Sequence, residues 1–98
     1  MIEITCRRYY DESFSVRIEG HAGYAEFGKD IVCAGISALT GALAERVGKL
    51  CYRHEIDLQS GHAYITGSSE AYEAYSTVVG GYKLIESTYP EYVHVEEG

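Results

Sequence analysis

Apolar and polar residues alternate at the start of the chain. Ile2, Ile4 and Cys6 are separated by polar positions, and after Asp11-Glu12-Ser13 the set Phe14, Val16 and Ile18 does the same. This period of two predicts a pair of half-buried strands joined as a hairpin, with Gly20 ending the second. From Ile31 to about Tyr52 the period changes: Val32, Ile36, Leu39, Leu43, Val47 and Leu50 recur three and four apart, as one face of a helix requires. Asp30 stands where an N-cap belongs. Ile56, Leu58, Ala63 and Ile65 flank Gln59-Ser60-Gly61-His62 and read as a second hairpin turning at Ser-Gly. Ser69 opens a second helix, with Tyr72, Tyr75, Val78, Val79, Tyr82, Ile85 and Tyr89 on one stripe. It ends before Pro90, because the residue preceding a proline disfavours helical geometry. Val93 and Val95 make a short last strand.

The resulting order, β-β-α-β-β-α-β, predicts an α+β fold: a mostly antiparallel sheet with two long helices packed on it. The 98 residues are read as a single domain, 1–98, with no linker or low-complexity tract. Small residues crowd the first helix (Ala34, Gly35, Ala38, Gly41, Ala42, Ala44, Gly48), and Gly80-Gly81 interrupts the second. Each interior glycine costs about 1 kcal/mol relative to alanine, so close packing of a neighbouring element is the expected compensation. A kink or a dimer contact is the alternative.

Fifteen acidic against eight basic residues give a net charge of −7, which repels a phosphate backbone and argues against nucleic acid as a direct partner. A basic protein or peptide suits this charge better. No run reaches the roughly 18 apolar residues of a membrane span, and Met1-Ile2-Glu3-Ile4-Thr5-Cys6 lacks the basic start and apolar stretch of a signal peptide. No membrane association and a cytoplasmic location are therefore expected. Three cysteines, Cys6, Cys33 and Cys51, do not resemble a secreted disulfide framework and are read as reduced thiols.

The chemistry concentrates in Gly20-His21-Ala22-Gly23 and Gly28-Lys29-Asp30-Ile31-Val32-Cys33. With Asp30 as N-cap, Cys33 falls in the first helical turn, among amide N–H groups without intrahelical acceptors. A helix N-terminus lowers a thiol pKa, and the same amides are placed to hold the oxyanion of a tetrahedral intermediate. His21, twelve residues upstream, can take the thiol proton and return it to a leaving amine. Asp30 either orients His21 or spends its oxygens on capping. The loop punctuated by Gly23 and Gly28 is a candidate substrate loop and lid. Each feature also has a plain structural reading, Cys33 as a small buried hydrophobe and Gly-His as a turn. Cys51-Tyr52-Arg53-His54 has a Cys-x-x-His spacing, but a zinc site needs two further ligands, which only the scattered His62, His94 and Cys6 offer, so neither metal nor cofactor is expected. Cys6 and Cys51 read as core. The tyrosine stripe reads as core with a homodimer contact as a minority role.

Gly20-His21-Ala22, the loop with Gly28, and Asp30-Ile31-Val32-Cys33-Ala34 followed by Ile36-Ser37-Ala38-Leu39 resemble the signature of the ribosomal-processing cysteine proteases, the Prp or YsxB-like family. Tyr89-Pro90 and the closing valine strand are similar to that family's C-terminal end, so the likeness spans the chain. The resemblance implies a dimeric α+β endopeptidase that removes an N-terminal extension from a large-subunit ribosomal protein, ribosomal protein twenty-seven, cutting after aromatic residues in a short hydrophobic sequence. It matches Cys33 to the nucleophile, His21 to the base and Asp30 to the aspartate beside the motif. Two other classes stay open: a non-catalytic ribosome-assembly binding module of the same fold, and a thiol redox sensor that pairs Cys33 with Cys6 or Cys51.

Overall fold

The computed structural model describes residues 1–26 and 30–98. Strands β1 (Ile2–Arg8) and β2 (Phe14–Glu19) form the first hairpin, helix α1 spans Ile31–Leu50, and β3 (Glu55–Gln59) and β4 (His62–Gly67) form the second hairpin. A 3₁₀ turn at Ser69–Ala71 leads into α2 (Tyr72–Thr88), and β5 (Val93–Glu97) closes the chain. The strands lie in the order β3-β4-β2-β1-β5. Three pairings are antiparallel and one, β1 with β5, is parallel. Helix α2 carries the chain from β4 across the sheet to β5, the kind of crossover that parallel strands require. The expected α+β class and element order hold, and the sheet is mixed at one edge.

The alternation read along the strands decides which face is covered. Ile2, Ile4, Cys6, Phe14, Val16, Ile18, Ala63, Ile65 and Val93 are all buried beneath the helices. Their neighbours Glu3, Arg17 and Glu19 face solvent. Helix α1 turns Val32, Ile36, Leu43 and Val47 inward. It stops at Leu50, two residues short of the expected end, because Cys51 takes an extended conformation. By length and composition α1 would suffice to cross a membrane, which the count of consecutive apolar residues did not anticipate. Its apolar stripe is instead part of the core.

The glycines of the two helices serve the contact between them. A Cβ at Gly81 would lie 2.8 Å from Leu39 Cδ1, and one at Gly35 would lie 3.2 Å from Ile85 Cδ1. Among the described residues Gly41 and Gly80 have no such neighbour, so close packing accounts for part of the pattern only. Tyr82 is fully buried between the helices, its hydroxyl 2.7 Å from Thr40 Oγ1, which also donates to the Ile36 carbonyl. Tyr75 stacks on Phe14 with ring centroids 4.5 Å apart. The tyrosine stripe is thus mainly core, as its spacing implies.

Candidate active site

The site begins where β2 ends. Gly20 N–H donates to the Gly61 carbonyl at 2.9 Å, tying the strand end to the β3–β4 turn. This places the exposed His21 ring against Gly61, where a Cβ would lie 2.7 Å from His21 Nε2. Gly61 also has φ +76, so it meets both a conformational and a steric demand. Ala22 is buried, and its N–H donates to Cys33 Sγ at 3.3 Å. Gly23 turns the chain with φ +71, after which Tyr24 N–H donates to Asp30 Oδ2 at 3.1 Å. The Tyr24 ring packs edge-on against Tyr89 and Tyr92, with centroids 5.5 and 5.3 Å away. The loop is therefore pinned at its start to the end of α2.

Asp30 is the N-cap of α1. Its Oδ1 accepts the N–H groups of Val32 and Cys33, each at 3.0 Å, and its carbonyl accepts Ala34 N–H. Desolvation pushes its carboxyl up, but the N–H donors of Cys33, Tyr24 and Ala25 outweigh it and hold the group below the usual carboxylate range. The choice between capping and orienting His21 thus falls to capping. This also revises the expectation for the first-turn amides: those of Val32, Cys33 and Ala34 already have acceptors.

The thiol differs from expectation in a second way. Burial pushes the Cys33 thiol up, the Ala22 N–H pulls it down, and the negative charge of Asp30 raises it again, so that its pKa lies above the ordinary 9.0. The helix N-terminus does not win because its cap is itself an anion beside the sulfur. His21 and Cys33 open onto one cavity of about 730 Å³. Among the described residues no hydrogen bond joins the two. Gly28 lies outside the described residues, as do positions 27 and 29 of the candidate substrate loop.

The remaining cysteines are structural. Burial, followed by the charge of Glu97, pushes the Cys6 thiol up to about 12. Cys51 Sγ exchanges hydrogen bonds with the backbone of Ser68, and His54 Nδ1 lies 2.7 Å from the Cys51 carbonyl, so the Cys-x-x-His spacing closes a turn. The sequence pattern did not single out the Ala22 amide, Tyr24 or Gly61. Only the Ser-Gly turn signal at Gly61 was visible, since the other contacts arise from folding.

The double role of Asp30 makes a prediction. Asp30→Ala is expected to destabilise the fold by about 1–2 kcal/mol, the usual worth of an N-cap, in urea unfolding at pH 7. Asp30→Asn keeps a capping oxygen and removes the charge, so the alkylation of Cys33 by iodoacetamide should have its pH midpoint moved down. In the parent protein the folded-state pKa of Asp30 lies below its unfolded value. Its charge-dependent contribution is then complete above about pH 4 and is lost as pH falls through the folded value. An unchanged midpoint in Asp30→Asn contradicts the electrostatic account.

The sequence profile of the cysteine protease Prp family matches residues 1–94. The ribosomal processing cysteine protease Prp of Staphylococcus aureus is 36% identical over 87 residues, with 82% of each chain covered. That of Bacillus subtilis is 48% identical over 40 residues, 40% of this chain and 36% of that one. In three dimensions the chain is similar to the S. aureus protease solved with a covalently linked product peptide, at a TM-score of 0.87 with 27% identity and full coverage of both chains. The same protease with a substrate peptide gives a TM-score of 0.80.

Proposed function

This chain belongs to the cysteine protease Prp family, and from that premise we propose that Cys33 is its nucleophile, His21 its general base, and the N-terminal extension of a large-subunit ribosomal protein its substrate. The observation that carries the assignment is the shared cavity, onto which the Cys33 thiol and the His21 imidazole both open at the N-terminus of α1. His21 takes the proton from Cys33 as the sulfur attacks the scissile carbonyl carbon, and the C–O π pair moves onto oxygen. When the tetrahedral intermediate collapses, the C–N bond breaks and the amine leaves with the proton carried by His21. Water, deprotonated by His21, then hydrolyses the thioester and restores the thiol. The Ala22 N–H, already directed at the sulfur, favours the thiolate as it forms.

The raised thiol pKa supports a base-assisted attack over a standing ion pair. The net charge of −7 suits a substrate joined to a basic ribosomal protein. Cytoplasmic action is part of the proposal and is supported by the three unpaired cysteines. A homodimer is part of it too, since Leu84 is a large apolar side chain left exposed on α2 for a partner to cover.

Incubation with a ribosomal protein twenty-seven precursor carrying its N-terminal extension tests the reading. Mass spectrometry should find a product shortened after an aromatic residue with the wild-type chain and none with Cys33→Ala. An intact precursor that both proteins bind equally would instead identify an assembly factor without cleavage.

A further inference from the structure

The second hairpin ends the sheet, and among the described residues no strand pairs with the outer side of β3. Every residue of β3 is exposed, including Ile56 at 39% and Leu58 at 49%. Backbone directions along it follow from the ladder. Gly61 turns its carbonyl to β2, where it accepts Gly20 N–H. Alternation then directs His62, Tyr64 and Thr66 toward β3, where they pair with Gln59, Asp57 and Glu55. Consistently, Glu55 N–H donates to Thr66 Oγ1. The N–H and C=O groups of Ile56 and Leu58 consequently face outward, where among the described residues no strand pairs with them. Leu58 also lines the cavity that holds His21 and Cys33, so the edge is continuous with the reaction site.

We infer that β3 receives the protein substrate as an added antiparallel or parallel strand, an extended apolar segment bearing lysines whose backbone pairs with Ile56 and Leu58 and whose chain continues into the cavity at Cys33. The inference rests on the protease reading above and specifies how its substrate is held. Strand addition obtains affinity from the main chain and specificity from alternate side chains. One set of peptide side chains would lie over Ile56 and Leu58 on the helix side. The other set would lie beside Glu55, Asp57 and Gln59 on the open face of the sheet.

Charge selects the occupant. Two copies of β3 paired antiparallel about Asp57 would set Asp57 against Asp57, with Glu55 nearby and a net charge of −7 on each chain. Like charges directly opposite destabilise a strand pair. A basic chain meets the same carboxylates favourably. Glu55 and Asp57 thus protect the edge from self-association, as charged side chains do on natural edge strands, and leave it open to a partner of opposite sign.

The test uses a short fluorescent peptide of apolar, aromatic and lysine residues, methylated at one backbone nitrogen at a time. Binding is measured by anisotropy on Cys33→Ala and cleavage on the wild-type chain. Strand addition predicts that methylation at every second position weakens binding about tenfold, the worth of a hydrogen bond, while the positions between change it less than about twofold. Leu58→Pro removes one outward N–H without touching the β4 ladder and should weaken binding about tenfold, whereas Leu58→Ala, which keeps that N–H, should retain more. If Leu58→Pro fails to fold, the methylation series on the unaltered edge still decides. Uniform sensitivity along the peptide overturns strand addition, as does a dimer that Leu58→Pro dissociates, since a second copy then covers the edge. Cleavage without alternation removes only this inference; alternation in binding with no cleavage by the wild type removes the protease reading and leaves the edge.

Discussion

Replacing Cys33 by alanine is expected to lower kcat/KM for peptide cleavage by on the order of 10⁴–10⁶-fold, and His21→Ala by roughly 10³-fold or more. The double variant should be no worse than Cys33→Ala. The reason lies in the resting state of the site. Burial, and after it the charge of Asp30, raise the thiol pKa, so the proposed nucleophile and base are expected to act only as a unit. His21→Ala should accordingly keep a residual activity that climbs about tenfold per pH unit until the Cys33 thiol itself ionises, because bulk base replaces the imidazole. The wild-type rate should already be high near neutrality. Steady-state kinetics across pH would show the difference; additive losses in the double variant, or a flat residual in His21→Ala, would sink the paired mechanism.

The largest stability effect is expected from Tyr82→Ala, at about 3–5 kcal/mol, as for other aromatic truncations in a core. For a chain of this size each kcal/mol moves Tm by roughly 4–8 °C, so the loss would be plain in a thermal melt. Tyr82 is the largest fully buried side chain among the described residues and lies where α2 meets α1. Tyr82→Phe keeps the ring and removes only the hydroxyl 2.7 Å from Thr40 Oγ1, for an expected cost of about 1–2 kcal/mol. Thr40 also lines the cavity, so the Phe variant reports whether the helix contact reaches the reaction site. A Tyr82→Ala protein as stable as the parent would show that this contact is not what holds α1 on the sheet.

Much of the architecture was legible along the chain because each element carries its own periodicity. The alternation of Ile2, Ile4 and Cys6 and the three-and-four spacing of Val32, Ile36, Leu43 and Val47 are local signals. They survive folding because the same positions are buried. The parallel pairing of β5 with β1 was not legible, since strand partners more than eighty residues apart leave no local trace. Nor did a count of consecutive apolar residues register that α1, interrupted by small and polar positions, is apolar enough overall to cross a membrane.

At the site the division is sharper. Residue types and spacing by themselves determined that a cysteine would stand in the first turn of a helix capped by Asp30, with a histidine at the end of a strand before it, because caps and turns are local chemistry. Only the tertiary structure decided what that placement does to the thiol. Packing half-buries Cys33, and capping sets a carboxylate beside it, so its pKa rises where a bare helix N-terminus would lower it. The same packing brings the Ala22 amide to the sulfur and the Gly61 turn beneath His21. These contacts join segments distant in sequence, and the balance of desolvation, charge and hydrogen bonding at a thiol depends on every group around it.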